Sequence, residues 1–187
     1  MRTPLIVTGT ILVAALLMLP LRVGRPPVAS ASYLRLLCGS ERWSVKTFSD
    51  GDRFKVNLAR RYRTVKQLNE LPRPAVRPAN GRAAAERSVY RVVATVTDSI
   101  NEDDGDVHLV LTGNDGSTLI AEAPEPACTP NARDRTAISR ARLVAQDVQV
   151  GTKVVAAGVG FFDFAHHQTG HARNYFELHP LLSLRHL

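Results

Sequence analysis

From residue 88 onward this 187-residue chain reads as three strands, a helix and two further strands, and that order restricts the fold more than any other feature. Ser88–Asp98 alternates, with Tyr90, Val92, Ala94 and Val96 on one face. An acidic loop, Asn101-Glu102-Asp103-Asp104-Gly105-Asp106, leads to a second strand, Val107–Leu111, whose inward set is Val107, Leu109 and Leu111. Gly113-Asn114-Asp115-Gly116 is a hairpin turn, and Ser117–Ala123 is the returning strand. Three prolines flank Cys128 in an irregular loop. Thr136–Val148 has helical character, with Ile138, Ala141, Leu143 and Ala145 on its richer side. Thr152–Phe164 is a long strand that Gly158 and Gly160 allow to curve sharply, and the last strand runs from Tyr175 to Leu184.

A three-strand meander, a helix and two more strands is the order of the five-stranded OB barrel. The expected fold is therefore mainly β with one or two helices, an OB-like five-stranded barrel (strand order β-β-β-α-β-β) over residues 86–187. The same elements would also build an open α+β sheet. Residues 32–71 form a small N-terminal extension, and residues 72–85 a Pro-rich linker. Within the extension Trp43–Phe48 alternates as a short strand, Ser49–Asp52 turns, and Phe54–Leu58 is its partner. Thr64 and Gln67 make a capping box for a helix that carries Val65, Leu68 and Leu71 and stops at Pro72. Arg60, Arg61, Arg63 and Lys66 form a basic run, either a solvated face or an anion site.

Residues 1–31 read as an export segment. Arg2 precedes nineteen uncharged residues, Thr3–Leu21, and Ala29-Ser30-Ala31 supplies a small-x-small cleavage site. The same stretch would also serve as a retained signal anchor, the only membrane contact the chain suggests. Either way the rest lies outside the cytoplasm, secreted if cleavage occurs. The formal charge of +7 includes Arg2, Arg22 and Arg25, so the mature chain keeps 21 bases against 17 acids and a charge of +4. The case for a polyanionic partner shrinks accordingly. Cys38 and Cys128 both survive cleavage, and in an oxidising compartment a lone pair is most simply a disulfide. Closing so long a loop would stabilise by about 4 kcal/mol on chain-entropy grounds. Two unrelated buried thiols are the alternative.

An OB barrel binds on the face of its second and third strands, bordered by the loops after the first and fourth strands. Here those loops are 102–106 and 165–171, the second containing His166, His167 and His171. His108 faces oppositely to Leu109, and Glu177 and His179 share one side of the last strand. The candidate ligands of a divalent metal are thus Asp104, Asp106, His108, Glu177 and His179; their oxygens suit Ca²⁺ or Mg²⁺ and their imidazoles Zn²⁺ and its neighbours. The plainer reading is a solvated acidic turn with exposed or backbone-bonded histidines. Serine-hydrolase elbows, Walker loops and His-Glu-x-x-His helices are missing from the sequence. Nucleic acid is disfavoured, because aromatic residues are 6% of the chain and the acidic loop repels phosphates.

Asp104-Gly105-Asp106 at a strand entrance superficially resembles the Asp-Gly-Asp turn of the thermonuclease family, OB barrels with an aspartate-held Ca²⁺ and a catalytic arginine. That resemblance would make Asp106 a ligand, but Val107 replaces the family's threonine and Leu119-Ile120-Ala121-Glu122 lacks the arginine. Cys38-Gly39-Ser40-Glu41-Arg42-Trp43-Ser44-Val45-Lys46-Thr47, Asp104–Leu109, Gly158-Val159-Gly160-Phe161-Phe162-Asp163 and Glu177-Leu178-His179-Pro180 are similar to a group of uncharacterised exported bacterial proteins, over most of the mature chain. That similarity implies a shared fold and export, and no activity.

Two functions are expected on this basis. The first is a non-enzymatic binding or interaction module for an extracytoplasmic ligand or protein. The alternative is a metal-dependent hydrolase, phosphodiesterase included, with Asp104, Asp106, His108, Glu177 and His179 on the barrel rim and a metal-activated water as nucleophile. Whether the chain is an enzyme is left open by its sequence.

Overall fold

The structure is a computed structural model that describes residues 38–187, apart from 40, 77, 79, 166 and 167; the export segment lies outside the described residues. Strands β1 (Asn57–Tyr62), β2 (Ser88–Asn101), β3 (Val107–Thr112), β4 (Thr118–Ala123), β5 (Lys153–Phe162) and β6 (Phe176–His186) form one sheet. Helices α1 (Trp43–Lys46) and α2 (Val65–Asn69) precede β2, and α3 (Arg135–Asp147) lies between β4 and β5. The sheet order β1-β2-β3-β4-β6-β5 is closed by pairing of β5 with β2, so β2–β6 make a five-stranded barrel. The β4–β6 pair is parallel and the other four barrel pairings are antiparallel, as the OB order requires. Strand β1 adds to β2 in parallel as an exposed sixth strand.

Alternation fills the barrel. Val92, Ala94 and Val96 of β2, Leu109 and Leu111 of β3, Leu119, Ala121 and Ala123 of β4 and Leu178, Leu181 and Leu184 of β6 meet in one core. Ala141 and Ala145 of α3 and Val65 and Leu68 of α2 join it. The capping box forms as expected, Thr64 Oγ1 accepting from the Gln67 N–H and Gln67 answering the Thr64 N–H. Strand β5 is buried on both faces. Its outer residues Ala157 and Val159 pack in a second cluster with Phe48, Val56 and Ile138. At Gly158 a Cβ would stand 2.9 Å from Leu178 Cβ and from Pro180 O, so glycine lets β5 and β6 cross closely where their register shifts.

The extension departs from the sequence reading. Residues 43–46 are helical rather than extended, because Val45 and Phe48, three apart, both bury completely on one side. Arg53–Lys55 is a 3₁₀ turn, and the expected strand begins at Asn57 with Phe54 left exposed. On α3 Leu143 is 65% exposed, and Arg142 occupies the buried position instead. Its guanidinium donates to Ala123 O at 2.7 Å and pairs with Glu125 at 3.0 Å, which compensates the burial. Cys38 and Cys128 form the disulfide, with Cα atoms 5.7 Å apart, and staple the extension to the loop after β4. Near the end of the Pro-rich segment, fully buried Arg82 pairs with Asp50 at 2.7 Å.

Candidate metal centre

The hairpin that sends Leu109 inward sends His108 outward, and its register partner on β4 is Glu122. On β6, Glu177 and His179 flank inward Leu178, and the parallel pairing sets Glu177 beside Ile120. Asp106 closes the acidic loop one residue before β3. All five are outside the barrel, yet none is more than 1% exposed. The N-terminal extension contributes to their cover. Lys46 of α1 lies 3.4 Å from Asp163. Arg42, paired with Glu86 at 2.7 Å, sits 4.9 Å over the Phe161 ring, which packs against His179 at 5.7 Å.

Glu122 is the hub. Its Oε1 is 3.2 Å from His108 Nδ1, and its Oε2 is 2.8 Å from His179 Nδ1, a contact too poorly aligned to be a hydrogen bond. Glu102, at the loop, reaches His108 Nδ1 at 3.1 Å. Asp106 Oδ2 is 3.6 Å from His179 Nε2, and neither atom has a hydrogen-bond partner. Glu177 Oε2 is 3.9 Å from His179 Nδ1. Ligand atoms of Asp106, Glu122 and His179 all lie within 4.8 Å of one another, as do those of Glu102, His108 and Glu122.

The electrostatics are those of crowded carboxylates under a lid. Burial pushes the Asp106 carboxyl up to about 7 and, helped by Glu122 and Asp163, the Glu177 carboxyl up to about 8. Burial disfavours charge on both imidazoles, but bonds to Glu102 and Glu122 hold His108 up at about 10, and the Glu122 charge holds His179 at about 9. Burial likewise opposes ionised Glu122, yet the two imidazoliums keep it well below the usual carboxylate range. Burial also opposes the Lys46 cation, which Glu122, Asp163 and Glu177 nevertheless hold above its ordinary value. Protons thus neutralise part of the carboxylate charge in this pocket.

Of the candidate ligands, the structure brings together Asp106, His108 and His179, with Glu177 at their edge. Asp104 stays half-buried at the mouth, its Oδ1 accepting from the Asp106 N–H at 3.1 Å in its own turn. His171 is elsewhere: its ring stacks on Tyr175 at 4.6 Å and its carbonyl accepts from Thr118, at the far end of β4 from Glu122. His166 and His167 lie outside the described residues. Sequence reasoning missed Glu102 and, above all, Glu122. Counting back from the Gly113–Gly116 turn pairs position 108 with 122, which was the available signal. No family model matches the chain, and no curated protein matches it.

Proposed function

We propose that this chain is an exported, non-enzymatic binding module whose ligand is a divalent transition-metal ion held by Asp106, Glu122 and His179. One observation carries the reading: Asp106 Oδ2 and His179 Nε2 are fully buried, face each other at 3.6 Å and have no hydrogen-bond partner. Orphaned polar atoms of that kind are costly unless something completes them. One imidazole with two carboxylates suits Zn²⁺, Mn²⁺ or Fe²⁺ better than Ca²⁺, whose sites are built from oxygens alone. Enclosure favours holding the ion over chemistry on it, because catalytic sites keep an open coordination position. Export is supported by the Cys38–Cys128 disulfide, which is at home outside the cytoplasm, and by the sequence of residues 1–31. No helix among the described residues is long and apolar enough to cross a membrane.

Elemental analysis of the full chain isolated from the exported fraction tests this, together with melting before and after chelation. Bound transition metal and a chelator-sensitive melting temperature are expected. Metal-free protein whose melting ignores Zn²⁺, Mn²⁺, Mg²⁺ and Ca²⁺ would sink the reading.

A second reading, a metal-dependent hydrolase, draws support from Glu102, whose side chain is 28% exposed and 3.1 Å from His108. Water entering there would reach an ion held beside Glu102 and His108. Metal-dependent turnover of a chromogenic phosphodiester, lost on chelation and on Asp106→Asn, would replace the binding-module reading with this one.

A further inference from the structure

Glu122 is not placed as the ligand of one ion only. Its two oxygens diverge, Oε1 toward His108 and Oε2 toward His179. Each side carries its own second carboxylate. Glu102 meets the same His108 Nδ1 as Glu122, at 3.1 Å. Asp106 meets His179 at Nε2, at 3.6 Å, the ring nitrogen opposite the Nδ1 that Glu122 contacts, with one ligand atom of each of the three still within 4.8 Å of the others. The two metal-competent triads therefore share a single residue. We propose that the cluster is a dinuclear centre in which the Glu122 carboxylate bridges two divalent transition-metal ions, one held by Glu102 and His108, the other by Asp106 and His179. This rests on the metal-binding reading above and goes beyond it in the number of ions and the bridge.

Charge balance supports two ions over one. Lys46 answers Asp163 at 3.4 Å, so four carboxylates remain, Asp106, Glu122 and Glu177 fully buried and Glu102 28% exposed at the edge. One divalent ion cancels half of that charge when all four are ionised, and two cancel it all. Buried uncompensated charge is strongly disfavoured, so a second ion would answer carboxylate charge that one ion leaves to protons. The hairpin makes the arrangement rigid. His108 and Glu122 are direct cross-strand partners, so the bridge and one terminal ligand stand on adjacent strands rather than on mobile loops. The inner ion is enclosed, whereas Glu102 leaves the outer one partly open to water. Paired ions of this kind polarise phosphoryl or carbonyl oxygens where a substrate reaches them.

The test loads the chelator-stripped full chain with Mn²⁺ and measures both bound metal per chain and the electron paramagnetic resonance spectrum. Two Mn²⁺ per chain with an exchange-coupled spectrum is the expected result, since a bridging carboxylate couples the two spins. His108→Ala then retains one ion and gives the uncoupled spectrum of isolated Mn²⁺. A single ion in the unmodified chain, or two that are uncoupled, overturns the dinuclear centre and leaves the one-ion reading standing. No bound ion overturns both. The decisive measurement is made on the unmodified protein, so misfolding of a variant does not blunt it.

Discussion

At the end of the β3–β4 hairpin that carries His108 and Glu122, the two faces are equally buried and chemically opposite. Inside the barrel Leu109 and Leu111 meet Ala121 and Leu119, and each is fully enclosed. Outside, one residue over, His108 meets Glu122 at the same burial. The inner face costs nothing to bury and drives folding. The outer face must have its charge answered by histidine protons, by Lys46 or by an added cation. Burial thus means stability on one side of a strand and a candidate site on the other.

If this contrast is right, mutations on the two faces separate stability from metal response. Leu109→Ala should cost about 2–5 kcal/mol in denaturant unfolding while leaving the metal-induced shift in melting intact. Replacing Cys38 and Cys128 by serine should cost about 2–4 kcal/mol and also weaken metal binding, because the extension that covers the outer face is then free to lift. A metal effect unchanged in the double mutant would show that the cover is unimportant to the site. Asp106→Asn should do the reverse of Leu109→Ala. Its carboxyl is near neutrality in the metal-free fold, and its Oδ1 acceptor to the Glu125 N–H is kept, so metal-free stability should change by less than about 1 kcal/mol. The stabilisation of about 2.7 kcal/mol expected from metal at a hundredfold excess over Kd should vanish. Leu143→Ala, on the exposed face of α3, should stay within about 0.5 kcal/mol of the parent chain in the same unfolding assay.

The same contrast explains what the sequence could disclose. The barrel was legible because strand order and alternation are local signals: Tyr90 to Val96 and Val107 to Leu111 declare their inward faces without help from the rest of the chain. Asp106, His108, Glu177 and His179 were legible as outward polar residues next to inward apolar ones. Their burial was not, because part of the cover comes from Lys46, far from all of them in sequence, and from Phe161 on the neighbouring strand. Glu122 does not stand out from the apolar run Leu119-Ile120-Ala121 before it, although hairpin register alone pairs it with His108. Residues 43–46 were misread because Trp43-Ser44-Val45-Lys46 alternates by chance, and only burial of Val45 and Phe48 together reveals the helical turn. Histidine count misled as well: His171 belongs to the α2 side, hydrogen-bonded through its carbonyl to Thr118.

The most direct test of a metal centre on the outer face is a calorimetric titration of Zn²⁺ into the chelator-stripped full chain and into Asp106→Asn. The account predicts saturable binding in the parent chain that is lost or weakened at least about a hundredfold in the variant, as expected when a ligand is removed from the ion. No binding heat in the parent, or identical isotherms for the two proteins, would contradict it.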